Sequence, residues 1–597
     1  MFGRIADALE LKGETGFRVL AYRKAARALV DLGADIETLD AEGKLEEAPG
    51  IGAGIAKKIH EYLSTGRMQK YDDVVSSLPP GLFEMLDIQG VGPKTVKQLY
   101  DKLGVKTPAE LKQTIESGRF AELPGLGEKK GANILHSIRN EELTGERMYL
   151  DEAFELAEAV MDHMKRCRSV RQLACGGSLR RGKETIGDID ILAVGPKAAE
   201  IIEHFTTHQR VKNVLASGGT KASVLFESRG KARQVDLRVL TEHEYGAALQ
   251  YFTGSKDHNV ALRALAQRQG LKLSEYGLFR DEKRVAGRTE QEVYAALGLP
   301  YIEPELRENR GEIEAAAGDC LPTLVSPRDM KADLHIHTSA SDGSADFEEM
   351  VEACRQRGYT HIAIADHSMS VGYAGGLSED ALLRHCDRVD QFNSKSRAFK
   401  VLKSSEVDIK TDGSMDYPDN VLERLDLVVA SIHQGFKKEA TKRMCSALAN
   451  PLVHLIAHPT GRIIGRREGY DIDLEQVIEC AAKNHKILEI NAFHARLDLN
   501  DIWARRAMQA GVKLAINTDA HSPGDLDWIR YGVIVARRAW LTRNDVVNCL
   551  SYARLLKLLG AIRTGSRLAT SRPLGSASGS QPEPPLPDRC RVRRAWS

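Results

Sequence analysis

Apolar positions along the chain follow three successive patterns. Up to about residue 148 they recur at helical spacing and are punctuated by glycine pairs. APGIGAGIAKKI at 48–59, IQGVGPKTVKQL at 88–99 and LPGLGEKKGANIL at 123–135 each run apolar, any residue, Gly, apolar, Gly, then into a lysine-bearing helical stretch. Each copy predicts a helix, a tight glycine turn and a second helix with an exposed N-terminus, and the N–H groups of such a turn suit an anion. From about 150 the period drops to two: RQLACGGSL, DIDILAV, SVLFES and RQVDLRVL predict short strands. From 331 a second α/β pattern begins, with DLHIH, HIAIAD, VLKSSEVD, LDLVVASIH, HLIAHP, KILEINAF and KLAINTDAH separated by helical segments. Repeated β-α units imply a sheet or barrel with functional residues at the strand ends. The stretch 308–330 joins the two α/β patterns, and 563–597, rich in Ser, Pro, Gly and Arg, predicts a disordered tail.

Composition changes this picture little. A chain of 597 residues is too long for one core, and about 100–200 residues per domain predicts three to five units. Lys and Arg number 84 against 83 Asp and Glu, so any basic surface is local. The nine cysteines include no CxxC pair, which argues against a zinc ribbon or a disulfide framework and fits a reducing compartment. The first residues, MFGRIADALELKGE, carry charges where a signal peptide needs an apolar core, and no apolar run approaches the roughly 20 residues of a membrane span. We expect a cytoplasmic protein without a membrane partner, and a monomer.

Two clusters carry chemistry. In CGGSLRRGKETIGDIDILAV (175–194), Asp188 and Asp190 are two apart on a predicted strand, so their carboxylates share a side; such a pair is costly without a cation between them. Asp236 in RQVDLRVL sits on another strand with the same alternation and completes a three-carboxylate cage. Gly176, Gly177, Ser178, Arg180 and Arg181 lie just ahead, on a turn suited to triphosphate oxygens. Three carboxylates for two Mg²⁺ ions beside a phosphate-binding turn are the parts of in-line phosphoryl transfer. In the second cluster, His335, His337, Asp342, His367, Glu406, His433, His458, Asp519 and His521 fall at strand ends. They suit two or three metal ions with Glu406 bridging, and mixed imidazole and carboxylate donors favour Mn²⁺, Zn²⁺ or Fe.

The glycine turns are helix-hairpin-helix motifs, which grip a DNA backbone without reading its sequence; Gly50, Gly52, Gly90, Gly92, Gly125 and Gly127 are the expected contacts. GGSLRRGKETIGDID followed by YFTGSKDHN (251–259) resembles the signature of family X DNA polymerases, and the resemblance extends over about 1–315. It implies that Asp188, Asp190 and Asp236 are the catalytic metal triad, that Gly177, Ser178 and Arg181 bind the incoming triphosphate, and that Gly187 shapes the nucleotide turn. It further implies Tyr251, Phe252 and Gly254 against the sugar, Asn259 at the base edge and Arg263 at the template minor groove. In the N-terminal segment it implies phosphate contacts through Arg18, Tyr22 and Lys24. Lys58 stands where lyase-active relatives carry a Schiff-base lysine, or is a phosphate-binding lysine; Gly54 replaces the second basic residue of that hairpin.

The second cluster is similar to a PHP domain, a distorted seven-stranded β/α barrel, over about 331–560. The resemblance implies all nine ligands, Asp366 orienting the ring of His367, and Arg462 and Asn491 on substrate phosphate; Phe493-His494 replaces the usual Asn-Pro. Together the halves resemble bacterial and archaeal family X polymerases with a C-terminal PHP domain. The division implied is 1–85 helical DNA-end-binding domain, 86–148 helix-hairpin-helix fingers, 149–250 nucleotidyltransferase palm, 251–315 thumb, 316–330 linker, 331–562 PHP domain and 563–597 tail. The implied activity is gap-filling DNA synthesis in base excision repair and end joining, with a metal-dependent 3′-5′ exonuclease. Its partners are gapped or nicked DNA and dNTPs, with Mg²⁺ at the first site and Mn²⁺ or Zn²⁺ at the second. Two readings from other classes stand beside it: a DNA-end scaffold with an inactive polymerase half, and a phosphoesterase tethered to DNA.

Overall fold

The computed structural model describes residues 1–14, 16–30, 36–47, 50–88, 91–128, 130–132, 134–135 and 147–565. Gly90 and residues 566–597 of the expected tail lie outside these. The chain divides into two compact units: 1–147 with 210–216 and 223–234, and 148–209 with 217–222 and the chain from Val235 on.

The first unit is mainly helical up to residue 147. Phe2–Leu11, Phe17–Val30, Ala53–Thr65, Gly81–Asp87, Pro93–Leu103 and Pro108–Glu116 are its principal helices. Apolar residues three and four apart turn inward: Ile5 and Leu9, Ile55 and Ile59, Val96 and Leu99 are all buried. The described glycines fit the turns their spacing predicts. Gly50 takes φ +93°, a conformation that suits glycine, while Gly52 and Gly92 are the N-caps of Ala53–Thr65 and Pro93–Leu103. Gly125 likewise has positive φ, +76°.

In the second unit the strand Ile189–Val194 pairs antiparallel with Gln172–Cys175 and parallel with residues 235–240 of Lys231–Leu240. Asp190 lies directly opposite Asp236 in that register. Asp188 falls just before its strand rather than inside it. Beyond the sheet, helices Tyr245–Thr253 and Lys256–Arg268 and a three-stranded antiparallel sheet (Lys272–Ser274, Gly277–Arg280, Lys283–Ala286) close over Leu262, Leu278, Val293 and Ile302. The connection 316–330 is packed: Val325 is fully buried and its N–H donates to the Leu541 carbonyl at 2.9 Å.

The seven predicted strands of the C-terminal half form one parallel sheet in sequential order: Ala332–Ile336, His361–Ile364, Lys400–Asp408, Leu427–Ser431, Leu455–Ile456, Ile487–Asn491 and Lys513–Asn517. It is nearly closed into a barrel. Between the first and last strands an Ile336–Ala520 bridge and a bond from Leu334 N–H to Asn517 Oδ1, 3.1 Å, take the place of a full ladder. The strands are buried on both faces, as parallel strands under crossover helices must be. Leu334, Leu402, Leu427, Val429, Leu455 and Ile487 form one core with Leu555 and Leu559 of the terminal helix Tyr552–Thr564. The distorted barrel expected from the sequence is the fold observed.

Candidate active sites

The palm site is assembled where the chain turns from Gln172–Cys175 into the short helix Gly177–Arg180. Gly177 takes φ +62°, and a Cβ there would lie 2.4 Å from Asp190 Oδ2. The turn thus rests directly on the carboxylate, and the N–H of Gly176 donates to the Asp190 carbonyl at 2.9 Å. Burial, followed by repulsion from Asp188 and Asp236, raises Asp190 to about 7. A trio held in mutual repulsion is what a divalent cation relieves, so these three side chains fit a metal.

Arg181 donates from Nη1 to the Thr253 carbonyl at 2.5 Å and pairs with Glu308 at 3.1 Å. It touches Gly254, where a Cβ would meet its Nη1 at 3.1 Å. Turn, arginine and the 251–254 segment therefore converge. Arg180 points elsewhere: it pairs with the buried Glu290 at 2.6 Å and donates to Thr253 Oγ1 at 2.6 Å, so this arginine braces palm against thumb instead of facing a phosphate. Asn259 is buried, donating to the Tyr251 carbonyl and accepting from Gln250 Nε2, each at 2.7 Å. Its neighbour Arg263 donates to the Asn259 carbonyl at 3.2 Å.

The barrel brings all nine expected ligands to one end of the sheet, around the fully buried Glu406. His367 Nδ1 and His458 Nε2 each lie 2.9 Å from a Glu406 oxygen, His335 and His433 at 3.4 Å and His337 at 3.6 Å. Asp519 approaches His337 at 3.1 Å and His335 at 3.6 Å; Asp342 stands 3.3 Å from His521 and 3.5 Å from His367. Three overlapping groups emerge, each able to hold an ion: His337, Asp342, His367 and His521; His335, His337 and Asp519; His367, Glu406 and His433. His335 Nε2, both His337 nitrogens, His367 Nδ1 and Glu406 Oε2 are buried without a hydrogen-bond partner. Buried polar atoms left in that state are costly, and a shared metal is the partner their chemistry fits. Burial drives His337 down to about 4, reinforced by His367. Against its own burial, His335 is held well above the usual imidazole range by Glu489, Glu406 and Asp519.

Several roles differ from expectation. Asp366 accepts from Thr338 N–H and Oγ1 at 2.8 Å and from Ser341 Oγ at 2.7 Å, so it fixes the loop that carries Asp342, not the ring of His367. Asn491 is fully buried, donating to Asp519 Oδ2 at 3.1 Å and Glu489 Oε2 at 3.2 Å; it braces ligands and does not face solvent. Arg462 pairs with Glu184 of the palm at 2.5 and 3.2 Å and donates to the carbonyls of Arg496 and Leu497, which commits it to an interface. Phe493-His494 serves the same interface. His494 lies 3.5 Å from Asp151 and 6.0 Å from the Tyr149 ring, whose hydroxyl donates to the Ile464 carbonyl at 2.7 Å. Sequence reasoning missed Glu489, which holds His335 Nδ1 at 2.9 Å, and Asp408, which accepts from the His433 N–H at 2.8 Å.

In the first unit, Lys58 donates from Nζ to the Gly54 carbonyl at 2.7 Å and lies 5.8 Å from the ring of Tyr22. Tyr22 is buried and stacks on Phe2, Lys24 is exposed, and Arg18 pairs with Glu14.

Five family models match in order: a helix-hairpin-helix domain (1–68), a SAM-like helix-hairpin-helix tandem (83–140), the DNA polymerase beta palm (147–241), the DNA polymerase beta thumb (248–308) and the PHP domain (333–493). The chain is 38% identical over 552 residues to the DNA polymerase/3′-5′ exonuclease PolX of Bacillus subtilis (strain 168), covering 92% of this chain and 96% of that one. DNA polymerase lambda of Rattus norvegicus is 28% identical over 332 residues, 51% of this chain and 54% of that one. A probable phosphatase of Thermoanaerobacter sp. (strain X514) is 28% identical over 230 residues, 36% of this chain and 89% of that one.

Proposed function

Because the chain belongs to the PolX-type family X DNA polymerases that carry a C-terminal PHP domain, we propose that it fills short gaps in DNA during base excision repair and end joining and trims 3′ ends at its barrel. The gathering of eight further donors around Glu406, drawn from segments spread between 335 and 521 and separate from the palm carboxylates, is the observation that carries two activities. We assign the palm triad to Mg²⁺ and the barrel to two or three Mn²⁺ or Zn²⁺ ions. When bound, such ions neutralise charge building on the phosphate and stabilise the attacking and leaving oxygens.

The chain's own groups do the positioning. Gly177 and Ser178 offer the turn to the triphosphate, and Arg181, swinging from Glu308, pairs with it. Tyr251 and Phe252 shape the sugar pocket, held by the bond from Asn259 to the Tyr251 carbonyl; Gly187 and Gly254 give the turns room, and Arg263 faces the template. The primer 3′-oxygen bonds to the α-phosphorus as the bond to pyrophosphate breaks. In the barrel, water oxygen bonds to the terminal phosphorus, the bond to the 3′-oxygen breaks, and a 5′-nucleotide leaves. The hairpin glycines, Tyr22 and Lys24 hold the backbone of gapped or nicked DNA, and Lys58 serves as a phosphate-binding lysine. The seven-part division of the chain follows the same assignment, as do a monomeric state and a cytoplasmic location.

A labelled primer across a one-nucleotide gap tests this reading. Asp188→Ala/Asp190→Ala should lose extension and keep 3′ shortening, and His335→Ala/His337→Ala should do the reverse. If neither double variant changes either product, both site assignments fail.

A further inference from the structure

With Arg462 committed to Glu184, a second arginine, Arg496, reaches the barrel ligands. Its Nε lies 4.0 Å from Asp519 Oδ2 and is buried without a hydrogen-bond partner. Its carbonyl is gripped by Arg462 Nε at 2.9 Å, so its backbone is fixed while its guanidinium still has a bond to make. Two aromatic side chains stand exposed on loops that leave the ligands. Tyr373, 78% exposed, rides the turn Gly372–Ala374, five residues beyond the ligand-bearing 366–368 segment. That turn is pressed onto the site: a Cβ at Gly375 would lie 3.2 Å from the Ser341 carbonyl oxygen, and one at Gly376 would lie 1.9 Å from that of Ser368. Both contacts adjoin ligands, Asp342 and His367.

The second aromatic is Phe436, 38% exposed, three residues past His433. It stacks on Tyr470 at 5.5 Å and 14°, with the Arg467 guanidinium 4.9 Å from its ring centroid. Its loop is rigid. The buried Arg443 donates to the carbonyls of Gln434 and Gly435 at 2.9 and 3.2 Å, and Gln434 ties across to the Ser370 carbonyl of the other loop at 2.5 Å. Aromatic side chains partly exposed on tethered loops, with guanidinium groups beside them, are the parts from which proteins build platforms for unstacked bases and their phosphates.

We propose that Arg496, Tyr373 and Phe436 form a clamp at the mouth of the barrel, in which Arg496 binds the phosphate to be cleaved and Tyr373 and Phe436 stack on the terminal bases. This rests on the barrel being the 3′-end-processing site.

The test compares shortening of a single strand ending in normal nucleotides with one whose last two nucleotides are abasic. The wild type should favour the normal end by about 10-fold or more, the scale of one stacked base. In Tyr373→Ala and Phe436→Ala that ratio should fall toward one, and Tyr373→Phe should restore it; a purely structural role would lower both rates and leave the ratio alone. Arg496→Ala should slow both ends alike. In chelator, without turnover, 2-aminopurine at the 3′ terminus should be quenched by wild type and less so by the two alanine variants. A ratio unchanged in both alanine variants overturns the clamp while leaving the reaction assigned. A wild type that shortens no 3′ end overturns the reaction, and the clamp with it.

Discussion

Glu489 accepts from Asn517 Nδ2 at 2.9 Å and from the His458 N–H at 2.8 Å while holding His335 Nδ1 at 2.9 Å. It thereby sets which nitrogen of His335 faces the cluster. Glu489→Gln should weaken metal binding at the barrel by about 10- to 100-fold, measured by chelator competition; unchanged affinity would mean His335 is oriented by packing alone. That the nine expected donors lie together was legible because each interrupts or follows an apolar strand at its end. Glu489 was not, since an acid inside ILEIN looks like any other alternating position. Arg462 was misread for a different reason: its partner Glu184 is 278 residues away, and no local pattern announces it. His454 makes a prediction in solution. Burial holds it neutral down to about 3, with Arg563 and Lys486 adding to the effect, whereas an unfolded chain takes up that proton near the ordinary value of 6.5. Between those values the unfolded state binds more protons, so the barrel loses stability as pH falls, by on the order of 4 kcal/mol across the window. The thermal midpoint should drop accordingly, and His454→Asn, which can still accept from the Val428 N–H, should flatten the drop.

At the level of elements, the turn into Gly177–Arg180 sets the palm site. Gly177→Ala combines a strained φ of +62° with a Cβ 2.4 Å from Asp190 Oδ2, so turn or carboxylate must shift. A displacement of that size should cut nucleotide incorporation by about 100-fold or more, read by single-turnover extension, while 3′ shortening continues at the barrel. The seven barrel strands could be read from sequence because each carries buried apolar residues and recurs between helical segments. The palm strand Val211–Ser217 could not: it is mostly exposed, and VKNVLAS carries no alternation to mark it. The three short strands between 272 and 286 were missed as well, being only three or four residues each. The glycine hairpins were legible from their threefold repetition.

At the scale of the molecule, palm, thumb and barrel share a buried ionic seam. Arg538, fully enclosed, pairs with Asp501 at 2.8 Å and Glu308 at 3.0 Å and donates to the Arg181 carbonyl at 2.7 Å. Burial would raise Glu308, but Arg538 and then Arg181 hold it below the usual carboxylate range. Arg310 completes the seam on Asp501 at 2.9 Å. Removing one partner leaves buried charge behind, so Arg538→Ala should cost about 3–5 kcal/mol. Calorimetry should then resolve separate palm and barrel transitions where the wild type shows one; a single transition in the variant would place their coupling elsewhere. None of this was visible in sequence, where Asp501 is 37 residues from Arg538, the other partners are 191 to 357 residues apart, and each looks like an ordinary surface charge. The seam also bears on traffic. Palm and barrel do not hinge apart while Arg538 bridges them, so a strand end leaving one site for the other travels by its own fraying and re-annealing. The choice between extending and trimming is then a race run by the DNA, and it should tilt toward trimming at warmer temperatures and at A·T-rich termini, with the enzyme acting as a fixed track.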